Sequence, residues 1–189
     1  MKRKKPEANR SPKVGPPEDG SERPKLPDGR QSNQCVRTSR RDVRIIEWID
    51  VVRLAYRYHD VDVVELNVSA WNGSFGGSTC LYVGQGDLAD AAALLARFPI
   101  NVEDKREVTL GAFGPNSAGG AMALQFSCRD GAGHCQLHIT IEADFGLRDS
   151  LAERVELLSA IEPAALDQFV EQMRILNSSL TGSAVLVFA

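Results

Sequence analysis

No apolar run in the 189-residue sequence approaches the ~18 to 20 residues that a membrane-spanning helix needs. Basic residues crowd the start (Lys2, Arg3, Lys4, Lys5), but no apolar stretch follows them, so a secretory signal is not expected. Together these absences make a soluble, cytoplasmic protein the expectation. Cysteine is sparse, with 4 in the chain, and none fall in the paired short spacings that zinc sites use. No nucleophile elbow, no phosphate-cradling glycine-rich loop ahead of a helix and no acid pair with a supporting motif is found. No internal repeat is visible.

What is present divides the chain in two. Hydrophobic residues make up 43% of it, enough for a core, and the length fits one domain with tails. Residues 1–44 carry 13 basic and 6 acidic residues, a balance of 13 − 6 = +7, and the rest carry 9 − 19 = −10. Proline is concentrated early (Pro6, Pro12, Pro16, Pro17, Pro24, Pro27), and hardly any bulky apolar residue precedes Val36. Such a segment cannot bury enough apolar surface to offset the entropy of ordering its backbone. Residues 1–42 are therefore expected to be a disordered basic arm. Three readings of the arm stand side by side: a nucleic-acid tether, an inert tail, and a reading frame extended upstream of a start at Val63 or Val64. Acids interspersed among the bases and missing aromatics argue against the tether, and it is the only route to nucleic acid.

In residues 45–58, Ile45, Trp48, Ile49, Val52 and Tyr56 recur at helical spacing. This predicts an amphipathic helix within 43–59. From residue 61 the period changes. Val64, Leu66, Val68 and Ala70 alternate with polar neighbours, Asn72-Gly73 marks a tight turn, and 75–83 form a second strand. Asp87 is read as the N-cap of a helix along Leu88, Ala91, Ala92, Leu95 and Phe98, stopped by Pro99. Strands are expected over 107–113, 122–128, 136–142 and 151–159. Pro163 opens a last helix with Leu166, Phe169, Val170 and Met173 on one face. Residues 179–189 end in an apolar run, read as an edge strand or a tail. The expected class is α+β, an antiparallel sheet in the order β-β-α-β-β-β-β-α with two amphipathic helices over one face. The folded domain is placed at 61–178.

Candidate chemistry centres on residues 128–144. Cys128, His134 and Cys135 offer three ligands without a fourth, and adjacent strand residues face opposite ways, so no metal is expected. His134 and His138 on one strand are roughly 13 Å apart and cannot share an ion. The cysteines are read as small buried hydrophobes. His138 lies in a polar stripe with Gln136, Thr140 and Glu142, and an enzyme reading makes it a general base oriented by Glu142 or Glu65. Acidity after residue 44 is the stronger clue, because an acidic face attracts basic proteins and repels nucleic acid. Its candidates are Asp60, Asp62, Glu65, Glu103, Asp104, Glu107, Asp130, Glu142, Asp144 and Asp149.

Four segments carry a family likeness: Trp71-Asn72-Gly73-Ser74-Phe75-Gly76-Gly77, Leu88 to Pro99, Asp130-Gly131-Ala132-Gly133-His134, and Ile161-Glu162-Pro163 leading into Phe169 and Leu176. In these, from Leu66 to about Leu176, the chain resembles a family of small, mostly uncharacterised bacterial α+β proteins. Some similar small proteins accompany polymorphic toxins and are read as immunity proteins. The resemblance implies a fold and assigns no catalytic residue. Likeness and charge together lead to the expectation of a non-enzymatic immunity-type protein that docks a basic protein toxin, without cofactor. Asp130, His134, His138, Glu142 and Asp144 are the expected contact residues. A small domain without a partner and an enzyme built on His138 are the rival readings.

Overall fold

The computed structural model describes residues 50–145 and 153–189. The arm expected over 1–42 lies outside the described residues. The described chain is α+β, with eight strands and two helices: β1 (Val51–His59), β2 (Val63–Trp71), β3 (Gly76–Gly84), α1 (Asp87–Leu95), β4 (Lys105–Gly111), β5 (Ala121–Cys128), β6 (Cys135–Glu142), β7 (Arg154–Ile161), α2 (Pro163–Ser179) and β8 (Ser183–Val187). The strands form not one sheet but two antiparallel four-stranded sheets. Sheet A has the order β3-β2-β1-β8, and sheet B has the order β4-β5-β6-β7. Each is a meander once β8 is counted ahead of β1, and a helix follows each meander's last strand.

The helix expected within 43–59 is corrected. Residues 51–59 are a strand, and 43–49 lie outside the described residues. Val51-Val52-Arg53-Leu54-Ala55-Tyr56 alternates as well as it recurs at helical spacing, and β-branched residues favour the extended form. Long-range pairing decides between the two periods. Val52 pairs with Ala70 and Leu186, and Leu54 pairs with Val68 and Ala184. Both side chains are fully buried. The domain boundary at 61 moves accordingly, since β1 is an interior strand of sheet A. The terminal run resolves as an edge strand, with Ala184 and Leu186 buried.

The Trp71–Gly77 motif is built for packing. Asn72 Oδ1 accepts the N–H groups of Ser74 (3.2 Å) and Phe75 (2.9 Å), which shapes the turn. The Trp71 ring lies over Gly76, where a Cβ would collide with it. Beyond the turn, β3 runs across one end of sheet B. A Cβ on Gly77 would fall 2.9 Å from Val155 Cγ1 on β7, and one on Gly111 of β4 would fall 3.1 Å from Leu81 Cβ. Between these points Gly120, just before β5, donates its N–H to the Cys80 carbonyl at 2.8 Å. A side chain on Gly120 would strike Thr79 Oγ1 and the Glu142 carbonyl.

Both helices cover the inner faces, and the buried apolar residues of sheets and helices form one cluster. Small residues in α1 (Ala91, Ala92) let it approach α2 closely. Gly86, not Asp87, is the N-cap of α1, and the Asp87 carboxylate instead accepts the Gly84 N–H at 2.7 Å. Pro163 occupies the first turn of α2 as expected. Gln172 of α2 accepts the N–H of Val185 (2.7 Å), satisfying a donor on the outer edge of β8. The backbone N–H of Ala189 reaches the Ala160 carbonyl of β7 at 3.0 Å and ties the two sheets.

Two stability outcomes follow from this packing. Leu54→Ala is expected to cost about 2–5 kcal/mol in urea unfolding, whereas a chain starting at Val64 should lose its cooperative transition altogether. Gly120→Ala is expected to cost about 1–3 kcal/mol by overpacking the sheet junction. A melting temperature unchanged by Gly120→Ala would show that β3 does not need this approach.

Candidate binding surfaces

Register fixes what the outer face of sheet B presents. Glu107 pairs with Gln125, Gln125 with His138 and His138 with Leu158. In the next row Thr109, Ala123, Thr140 and Glu156 align, and beyond them Gly111, Ala121, Glu142 and Arg154. A shallow groove of about 370 Å³ lies on this face, bordered by Lys105, Glu107, Gln125, Gln136 and His138. His138 Nδ1 is 3.0 Å from Gln125 Oε1, and Nε2 is 3.9 Å from Glu156 Oε2. The partners expected for His138 were Glu142 and Glu65. The first is four positions away on the same strand and the second is on the other sheet, so cross-strand neighbours hold the imidazole instead.

Glu142 is buried. Its Oε1 accepts the Gly114 N–H at 2.7 Å, and its Oε2 lies 3.7 Å from Arg154. Arg154 also pairs with Glu156 (2.9 Å) and stacks over Phe113 (5.7 Å to the centroid). This carboxylate therefore pins the β4–β5 loop to the sheet junction. Thr140 beside it is buried too, so the polar stripe on β6 is covered at this end and open at the other.

Asp130 and His134 occupy the β5–β6 turn, roughly 24 Å along β6 from Glu142. His134 Nδ1 and Asp130 Oδ2 meet at 2.7 Å in a hydrogen bond, with the Asp130 and His134 side chains 48% and 66% exposed. The His134 imidazole, followed by the Ala132 and His134 backbone N–H groups, holds the Asp130 carboxyl below the usual carboxylate value. Glu103 and Asp104 lie at this same end of the sheet, where Asn101 meets Cys128. Arg106 clasps Asp104 (3.1 and 2.8 Å), donates to the Leu94 and Ala96 carbonyls at the end of α1 (2.6 and 2.7 Å), and lies over Phe98. Its guanidinium supplies the C-terminal cap that α1 lacks in its own last turn.

Asp144, two residues beyond the end of β6, is close enough to Tyr82 on the outer face of sheet A for its charge to act on the phenol. Burial, then the charges of Glu65 and Asp144, push the Tyr82 phenol up, and Arg57 opposes them. Glu65 is opposite Tyr82 in the β2–β3 pairing and is ion-paired to Arg57 at 3.3 Å. The turn after β1 is brought to the same end by Gln85, which donates to the Asp60 carbonyl at 2.9 Å. Asp60 Oδ1 accepts the N–H groups of Asp62 and Val63, which lower its pKa. Asp60, Asp62, Glu65 and Asp87 thus share one end of sheet A. The five expected contact residues do not lie together: Asp130 and His134 are at a hairpin tip, His138 is in the groove, Glu142 is inside and Asp144 follows β6 on the side of Tyr82. Asp149 lies outside the described residues.

Glu156, Gln125 and Arg106 were missed from sequence. The turn at 129–134 places Cys128 opposite Cys135, and counting back from that pair would have matched Gln125 to His138. Among the described residues, no cluster of three or more His, Cys, Asp or Glu is arranged to hold a metal ion. No described helix is long and apolar enough to cross a membrane.

The Asp104–Arg106 clasp has a pH signature. Arg106 first, and the Ile100 N–H with it, hold the Asp104 carboxyl below its ordinary 3.8. A depressed carboxylate stabilises the fold above its unfolded pKa, and that contribution fades as pH falls through the folded value. Asp104→Asn should therefore destabilise the chain at pH 7, by about 1–3 kcal/mol, and the gap to the parent should shrink below about pH 4. Urea titrations at both pH values check this, and a gap independent of pH would contradict it.

No protein-family model, curated protein or solved structure matches the chain.

Proposed function

We propose that the chain is a non-enzymatic binding protein of the toxin-immunity type, docking a basic protein partner through an acidic surface. The observation that carries this reading is the gathering of Asp60, Asp62, Asp87 and Glu65 at the end of sheet A where β2 begins and β3 ends, with Glu65 and Asp144 both acting on Tyr82. Arg57, the cation beside them, is already engaged by Glu65. Such a field speeds encounter with a cationic surface and repels nucleic acid. Tyr82 adds an amphipathic ring of the kind that anchors protein contacts. Asp130 and His134, at the far tip of sheet B, make a second exposed polar element for the same partner class.

The test is protection. Co-expression with the product of an adjacent toxin gene should rescue growth, and the two proteins should associate about tenfold more slowly in 0.5 M than in 0.05 M salt. Asp60→Lys with Asp62→Lys should slow association by a similar factor, and Asp62→Lys alone, which keeps the Asp60 carboxylate that shapes the turn, should slow it in part with the melting temperature nearly unchanged. Association indifferent to salt and to both substitutions, or capture of abundant chaperones alone, would sink the proposal.

One observation favours a second reading. His138, held by Gln125 with Glu156 nearby, opens onto the groove of sheet B and has the elements of an oriented base. Should an activity be found, His138→Ala and Glu156→Gln would each have to reduce it for this reading to stand.

A further inference from the structure

We propose that Cys128 and Cys135 form a redox-modifiable dithiol, which a mild two-electron oxidant closes into a disulfide across the neck of the β5–β6 hairpin. The two residues are direct partners in the β5–β6 register, and both are free thiols. The next pair outward carries the hydrogen bond from the Arg129 N–H to the His134 carbonyl, at 2.8 Å. Antiparallel pairs alternate, so Cys128 and Cys135 occupy a non-hydrogen-bonded position, where facing Cα atoms are about 4.5 Å apart and side chains are closest. That spacing falls at the short end of the range a disulfide spans, about 4.4–6.8 Å. Alternation along both strands turns the two side chains to the same, inner face.

Neither sulfur is committed elsewhere by a strong bond. The Cys128 thiol donates to the Asn101 carbonyl and the Cys135 thiol to the Gly133 carbonyl, each at a long 3.5 Å. The two differ in access, Cys128 being half-buried and Cys135 buried. Burial first, and the neighbouring Cys128 thiol second, push the Cys135 thiol up to about 11. Cys128 is the more accessible of the two, which assigns it the opening attack on an oxidant arriving from solvent.

With hydrogen peroxide as oxidant the step balances. The Cys128 thiol loses its proton as its sulfur attacks one peroxide oxygen. The O–O bond breaks, and the departing hydroxide takes up a proton to leave as water. Cys128 is then a sulfenic acid. The Cys135 sulfur attacks the Cys128 sulfur, the S–O bond breaks, and the hydroxide leaves with the Cys135 proton as a second water. Two thiols are oxidised to one disulfide and one peroxide is reduced to two waters. Closure would withdraw Cys128 from Asn101 and tie the base of the turn that carries Asp130 and His134.

Trypsin provides the readout, because Arg129 lies between the two cysteines. The folded full chain is treated with a few equivalents of peroxide, denatured with N-ethylmaleimide and digested. The expected product is a linked pair, residues 107–129 joined to 130–148, which dithiothreitol separates, with near-complete loss of the two alkylated peptides. In the Cys135→Ser chain the same treatment should leave Cys128 as a sulfenic acid that dimedone traps. Recovery of both parent peptides as alkylated thiols would overturn the proposal. So would linkage of either to a peptide containing Cys35 or Cys80.

Discussion

Backbone approach at the junction of the two sheets is the constraint on which the rest depends. β3 is both an edge of sheet A and the strand that crosses the end of sheet B. It can do so because Gly77 and Gly120 offer no side chain where strand meets strand end, and because the Gly120 N–H is given to Cys80 across the gap. A hydrogen bond made between sheets satisfies backbone groups that burial would otherwise strand. With the sheets held in this way, the inner faces and both helices close on one core. Glu142 and Arg154, at the same junction, are consequently occupied with holding the β4–β5 loop.

The placement of charge follows from the same arrangement. One end of sheet B abuts β3, so its opposite end and its outer face are what it shows to solvent. The covered end is where Thr140 and Glu142 lie buried, although their positions on β6 point away from the core. At the open end Asp104 is ion-paired with Arg106, and Asp130 is hydrogen-bonded to the His134 imidazole. Sheet A instead collects carboxylates from the β1–β2 turn, from β2, from the start of α1 and from the segment after β6, with Arg57 among them. The negative balance of the domain is thus shared by both ends, with the denser gathering of carboxylates on sheet A.

Local pattern carried much of the fold. Alternation identified β2, β3, β5 and β6 to within a residue or two, because each has one wet or half-wet face and one buried face. Pro163 and the Leu166–Phe169–Met173 spacing identified α2. The pattern failed where two periods coexist, in Val51–His59, since burial between β2 and β8 is decided by residues far along the chain. It could not divide the strands between two sheets, because no local signal marks the place where hydrogen bonding stops and face packing begins. The site residues were read by proximity in sequence within 130–144. Along an extended strand that proximity disperses them over the length of the sheet, and the neighbours that matter, Glu156 for His138 and Arg154 for Glu142, come from the adjoining strand.

The position of β8 has a consequence for how the molecule comes into being. Sheet B is contiguous in the chain, from β4 to β7, and can close on itself while the polypeptide is still leaving the ribosome. Sheet A cannot. Its interior strand β1 is the first of the described strands to be synthesised, and its outer partner β8 is the last of them. Until β8 emerges, β1 therefore presents an open row of amides and carbonyls to the surroundings, and over that interval the nascent chain is at its most adhesive.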